Sequence, residues 1–143
     1  MRPNGQVGWV PEDALGALNL TYTRLVIALR KRRATLLQNG SPVWRAPVGI
    51  GKRATPTPRG HFYVRERLRL RGHGGVYGSF AFGTSDYSNR LTDWPGGGVV
   101  GIHGTNEPKL IPGAIFHGCV RLRNRDIADL RRLMDLGTPV WIR

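Results

Sequence analysis

The chain holds a single cysteine, Cys119, which excludes an internal disulfide and any metal site built from several thiolates. A buried thiol, an intermolecular bridge and a nucleophile all remain open for it. Long apolar runs are absent too. Stretches such as Leu25 to Leu29 fall far short of the roughly 20 residues a bilayer span needs, so no transmembrane helix is expected. Met1 to Gly5 leads into no apolar segment of the signal-peptide kind, so the expectation is a cytoplasmic protein or one whose export signal or anchor lies upstream. Acidic residues are scarce: nine Asp and Glu stand against 22 Lys and Arg, and the net charge of +13 favours an anionic partner. Nucleic acid, an acidic membrane face and the carboxylate- and phosphate-rich polymers of a bacterial wall all satisfy that charge. What the sequence has in quantity is glycine, 20 residues, with 10 prolines, which implies many turns and short elements. Hydrophobic residues at 40% of 143 are enough for one packed domain.

Along the chain, Arg2 to Leu18 is turn-rich, with a helical turn expected from Pro11, where proline suits the first helical position. Its Gly8-Trp9-Val10-Pro11 resembles the closing strand of a small SH3-like barrel, so residues 1–19 read as the end of an upstream module. Arg24 to Leu29 and Ala34 to Gln38 read as two strands joined by the basic turn Arg30-Lys31-Arg32-Arg33. Asn39-Gly40 suits the positive φ angles of a type I′ hairpin turn, with a third strand over Pro42 to Val48. The prolines of Thr55 to Gly60 make a loop. His61 to Arg71 then alternates, Arg65, Arg67, Arg69 and Arg71 on one side and Val64, Glu66, Leu68 and Leu70 on the other, as a half-exposed strand does. Those arginines read as a solvated strand face or as an anion track. Ser79 to Phe82 and Val99 to His103 are further expected strands, separated by the polar loop Gly83 to Asp93 and a Trp94 to Gly98 turn. The glycine-rich Gly72 to Gly78 and the polar Ser85 to Thr92 read as a lid or substrate wall, or as ordinary surface loops. Asn124 is placed as the N-cap of a helix over Arg125 to Leu136, with Gly137 at the C′ position and a last strand over Thr138 to Ile142. Alternating strands with one helix predict a mainly β fold, a compact sandwich of mixed strands with one C-terminal α-helix.

The chemistry lies in Ile102-His103-Gly104-Thr105 and Ile115-Phe116-His117-Gly118-Cys119-Val120-Arg121-Leu122. An apolar strand delivers one histidine, and a nearby loop delivers the only thiol beside a second histidine and a glycine. Nucleophilic acyl transfer needs such a pair, because the thiolate attacks and a neutral imidazole takes its proton and returns it to the leaving amine. Gly118 allows close backbone approach, and amides around Cys119 suit an oxyanion hole. The alternative is bland, a buried small thiol and a hydrogen-bonded core histidine. A zinc site from His103, His117 and Cys119 is a third reading, but their spacing matches no common zinc pattern.

His103-Gly104-Thr105, Phe116-His117-Gly118-Cys119-Val120-Arg121-Leu122, Asp126, Leu130 and Gly137-Thr138-Pro139-Val140 together resemble the signature and C-terminal end of the L,D-transpeptidases with a YkuD-type catalytic domain. Upstream, Thr55-Pro56-Thr57-Pro58-Arg59-Gly60-His61-Phe62 resembles the family's Thr-Pro-x-Gly-x-Phe stretch; the likeness runs from about Tyr22 to Arg143 in the expected order, and residues 20–143 read as the catalytic domain. The resemblance implies that Cys119 is the nucleophile, attacking a peptidoglycan stem tetrapeptide, releasing D-alanine and forming a thioester. It implies His103 as general base, oriented by the Gly104 carbonyl, with His117 and Gly118 shaping the oxyanion pocket and Arg121 holding a stem carboxylate. It further implies 3→3 cross-links or hydrolysis, inhibition by carbapenems, an extracytoplasmic location and stem peptides as partners, with neither cofactor nor metal; the +13 charge then adds anionic wall polymers as partners, and the lack of a nucleic-acid signature or of aromatics interleaved with the arginines leaves no nucleic acid expected. One departure is Phe116, where the family usually has Ser or Thr; its ring is expected to narrow the space beside the thiol and to affect donor specificity.

Overall fold

The computed structural model describes residues 8–17, 19–70, 75–87 and 98–143. Ten strands form its frame: β1 (Thr23–Ala28), β2 (Arg33–Gln38), β3 (Ser41–Pro47), β4 (Gly49–Gly51), β5 (Gly60–Arg69), β6 (Phe80–Tyr87), β7 (Val99–His103), β8 (Gly113–Phe116), β9 (Val120–Arg121) and β10 (Pro139–Ile142). One α-helix, α1 (Asn124–Leu133), precedes β10, and two short 3₁₀ turns cover Glu12–Ala14 and Pro108–Leu110. The strands run in the order β3-β2-β1-β10-β5-β6-β7-β9-β4-β8 as one mixed sheet. The pairs β1/β10, β7/β9 and β4/β8 are parallel and the others antiparallel. Bulges at Leu36/Leu37, Ile50/Gly51 and Val64/Glu66 bend the strands, and the sheet curls until its two halves share one core. Leu25, Ile27 and Leu36 from one half meet Phe82, Ile102, Val120 and Leu122 from the other, with Ile127 and Leu130 of α1 in the same cluster. This is the mainly β architecture with one helix that the alternation implied.

Local chemistry explains the elements that agree. Asn39 and Gly40 take φ angles of 49° and 83°, the left-handed pair a tight β2–β3 hairpin needs. On β1, Leu25 and Ile27 are buried while Arg24 is exposed, so a period of two sets the register against β2 and β10. On β5, Val64 is buried and Arg67 and Arg69 are exposed, as the arginine alternation required.

Other elements differ from the sequence reading. Strand β6 runs to Tyr87, through part of the expected Gly83 to Asp93 loop, because the buried Thr84 hydroxyl donates to the Val100 carbonyl (2.7 Å) and satisfies a polar residue inside the sheet. The helix starts one residue earlier than expected and ends at Leu133, not Leu136. Asn124 is its first residue and does not cap it: the N-cap is Arg123, without a side-chain cap bond, and the Asn124 side chain is spent on Thr105. Gly137 is not the residue that ends α1; Met134 is the C-cap, and the Gly137 N–H donates to Val64 O at 2.9 Å. The helix end is instead held by Arg67, whose guanidinium donates to Asp135 and to the Arg131 carbonyl, both at 2.6 Å. Residues 94–97 of the expected Trp94 to Gly98 turn, 72–74 of the first expected lid segment and 88–92 of the second lie outside the described residues.

Candidate active site

Strand β7 is buried from Val100 onward and flanked by β6 and β9, so its last residue, His103, emerges at a fixed point of the sheet. Its side chain is 1% exposed. Nδ1 lies 2.6 Å from the Gly104 carbonyl oxygen. A carbonyl only accepts, so Nδ1 carries the ring proton and Nε2 keeps its lone pair. The histidine pKa is lowered from 6.5 to about 4, first by burial, then by the positive charge of Arg121, against the opposing Gly104 bond. At neutral pH this imidazole is uncharged and holds a free acceptor nitrogen, the state a general base requires.

Cys119 sits one residue before β9, which pairs with β7 through Ile102↔Val120 and His103↔Arg121. That register sets the thiol close to His103 in the fold. The Gly101 N–H donates to Sγ at 3.4 Å, and the residue is 6% exposed. Immediately upstream, Gly118 has φ +78° and the Cys119 N–H donates to the His117 carbonyl at 2.9 Å. This three-residue turn has the positive-φ geometry that a side chain resists, which accounts for glycine beside the thiol.

Six residues line one cavity of about 330 Å³: Val76, Tyr77, His103, His117, Cys119 and Arg121. The structure thus brings together His103, His117, Cys119 and Arg121, with Gly104 and Gly118 in the backbone beneath them. Val76 and Tyr77 belong to the glycine-rich segment expected as lid or wall, and the Tyr77 ring meets His103 edge-on at 4.8 Å between centroids. Arg121 is mostly buried; its Nη1 lies 3.5 Å from a Glu107 carboxylate oxygen, and its guanidinium sits 4.1 Å above the Phe116 ring. Among the described residues no group of three His, Cys, Asp or Glu is placed to hold a metal.

Phe116 does not line the cavity. Its ring is 3% exposed and packs between the Arg121 guanidinium and Gly49, where a Cβ would run into it. The expected narrowing beside the thiol is replaced by a floor beneath Arg121. His61 stacks on Trp141, away from the cavity, and His73 lies outside the described residues.

A residue missed from sequence is Asn124. Its Oδ1 accepts from the Thr105 N–H at 3.1 Å and occupies the space that Cβ atoms on Gly78 and Gly104 would fill. Two glycines and one amide therefore lock the strand end that carries His103. Asn124→Ala is expected to cost about 1–2 kcal/mol in a thermal melt, the value of a buried backbone donor left unpaired. Asn124→Asp, which keeps the acceptor, should recover most of that loss.

A family model of the YkuD L,D-transpeptidase catalytic domain matches residues 22–142. The chain belongs to this family. It is 31% identical over 118 residues to the YkuD protein of Bacillus subtilis strain 168, covering 82% of this chain and 64% of that one. It is 33% identical over 119 residues to the YkuD protein of Bacillus licheniformis, covering 83% and 64%. The chain thus spans less than two thirds of these relatives' length. The NMR structure of the catalytic domain of the Enterococcus faecium L,D-transpeptidase shares the fold, with a TM-score of 0.61 at 23% identity over 85% of this chain and 96% of that domain. The curled mixed sheet is therefore the family's fold.

Proposed function

We propose that this chain is a cysteine-dependent L,D-transpeptidase acting on peptidoglycan stem tetrapeptides outside the cytoplasmic membrane, with residues 20–143 as the catalytic unit and residues 1–19 as the end of an upstream module. The observation that carries this reading is the single cavity wall shared by the only thiol and a neutral, tautomer-fixed imidazole. In the first half-reaction His103 Nε2 takes the Cys119 proton as Sγ attacks the carbonyl carbon of the third stem residue. The C–N bond to D-alanine breaks, and the imidazolium returns its proton to the leaving amine. Backbone amides near Gly118 stabilise the oxyanion, and Arg121, a fixed cation at the cavity wall, receives a stem carboxylate. In the second half-reaction the side-chain amine of another stem attacks the thioester, passing its proton through His103 to the departing sulfur. A 3→3 cross-link results; attack by water gives the tripeptide.

Incubation of a disaccharide tetrapeptide with the protein, followed by mass spectrometry, tests this. The expected result is loss of D-alanine with appearance of cross-linked dimers, both absent in Cys119→Ala. D-Alanine loss without dimers would make the chain a carboxypeptidase. A folded protein that leaves several stem chemistries intact would overturn the catalytic reading and favour a basic wall-binding module.

A further inference from the structure

No Asp or Glu occurs between Asp13 and Glu66, while that interval holds ten Lys and Arg. Nine of the ten are exposed. The fold concentrates them. The Arg32 N–H closes the β1–β2 turn on the Leu29 carbonyl (3.1 Å), and the Val48 N–H donates to Arg32 O (2.9 Å), bringing Arg30, Lys31, Arg32 and Arg33 beside the end of β3. Arg33 pairs with Pro47 and Thr35 with Arg45, so Arg33 and Arg45 are diagonal neighbours on one face, about 7–8 Å apart at the backbone. The Lys52 N–H bonds the Phe116 carbonyl at 2.8 Å, so the next basic loop lies against the strand that leads to the thiol. Edge strand β3 carries one cation of its own, Arg45, which is enough to deter sheet-to-sheet pairing, and the four exposed cations of the adjoining β1–β2 turn exceed that use.

We propose that the β1–β2 turn and the β3 edge form a binding surface for a linear phosphodiester polymer of the cell envelope. Guanidinium groups match phosphate oxygens in pairs, and Arg30, Arg32, Arg33 and Arg45 clustered at one corner of the sheet suit a repeating charge. Nucleic acid offers the same phosphates but also bases that stack on aromatic rings. Strands β1 to β4 carry one aromatic side chain, Trp44, and it packs against the core. A lipid surface calls for an apolar face to insert, and the exposed large hydrophobic residue on these strands is Val43 alone. The proposal rests on the proposed function only for the polymer's location in the envelope.

The test is co-sedimentation of the full chain with Gram-positive sacculi, before and after hydrofluoric acid removes their phosphodiester polymer. A variant with Arg30→Gln, Lys31→Gln, Arg33→Gln and Arg45→Gln is compared with an equal-charge control, Arg69→Gln, Lys109→Gln, Arg125→Gln and Arg132→Gln. Untreated sacculi are expected to bind wild type with an affinity that falls steeply with salt. The first variant should lose at least about tenfold and reduce the slope of log affinity against log salt by about three, roughly 0.7 for each of its four lost phosphate contacts on a single-stranded polymer. The control should lose less than about threefold, because only the diffuse field changes. Equal loss in both variants, equal binding to stripped sacculi, or tighter binding to a single-stranded 20-mer DNA or to phosphatidylglycerol vesicles would each overturn the proposal. Lys31→Glu, at the exposed turn tip, repeats the test where the quadruple variant fails to fold. D-Alanine release from a soluble tetrapeptide is measured alongside: the variants should leave it unchanged, so failure of the surface and failure of the catalytic reading register separately.

Discussion

His103→Asn is expected to lower kcat/KM for D-alanine release by about a thousandfold, within the range that a positioned general base contributes. The asparagine amide nitrogen falls near the place of Nδ1 and keeps a donor for the Gly104 carbonyl, so the strand end stays tied while the acceptor nitrogen is lost. The same variant carries a second signature that no merely structural histidine replacement at a solvated site would give. In the folded wild type the imidazole titrates at about 4, against 6.5 when exposed. Between those values the unfolded chain binds the proton and the folded chain does not, so stability is full above pH 6.5 and falls as pH drops towards 4. At 1.36 kcal/mol per pH unit the loss from this one group is about 3 kcal/mol across the window. His103→Asn should remove that part of the slope in urea melts recorded from pH 7 to pH 4, while lowering stability at pH 7 through the gap left beside Tyr77. For the wild type, the acid limb of kcat/KM should not begin until the pH nears 5, well below the range of an ordinary histidine. An acid limb near 6.5 would mean that His103 is solvated in the working enzyme.

The sequence disclosed those parts of the fold that short-range chemistry controls. Asn39-Gly40 forces a hairpin, and the alternation of Leu25, Ile27 and Arg24 selects a buried face; neither depends on distant residues. Strands β4, β8 and β9 escaped because they are two to four residues long, glycine-containing in two cases, and held by parallel partners far away in the chain. No periodicity can develop over so few residues. Asn124 misled for a related reason. Polar residues before a helical pattern usually cap it, but here a tertiary donor, the Thr105 N–H, competes for the side chain. The early end of α1 follows from Arg67, which clamps Asp135 and the Arg131 carbonyl from another strand and makes a further helical turn unnecessary.

At the site, residue types and order pointed to His103, His117, Cys119 and Arg121, and the structure sets all four around one cavity. The family motif made them legible. Tyr77 carries no sequence signal, since one aromatic in a glycine-rich stretch gives no sign of which histidine it meets. The Phe116 ring, expected beside the thiol, lies instead between Arg121 and Gly49, because an apolar ring next to a buried guanidinium gains more from packing inward than from facing the cavity. The ring therefore reaches the cavity only through its contact with Arg121.

Gly118→Ala is expected to reduce kcat by about a hundredfold with little change in KM, the size of effect that a misplacement near 1 Å of a reacting group produces. Gly118 holds φ +78°, and the Cys119 N–H donates to the His117 carbonyl across it. An alanine pays roughly 1–3 kcal/mol to remain in that region. The turn relieves this strain by rotating towards negative φ, which breaks the bond and swings both the Cys119 amide and its sulfur. Downstream, Val120 and Arg121 are pinned by pairing with Ile102 and His103, and they do not follow. The thiol then moves relative to an imidazole that stays fixed. KM is expected to hold because Arg121 stays in place, while the proposed attack geometry and oxyanion support are lost together. Single-turnover acylation, read by intact-protein mass spectrometry, should show the defect in the chemical step. A melting temperature lowered by only a few degrees would show that the turn has shifted inside an otherwise intact sheet. An alanine variant with normal acylation would show that the sulfur reaches the carbonyl without this backbone conformation.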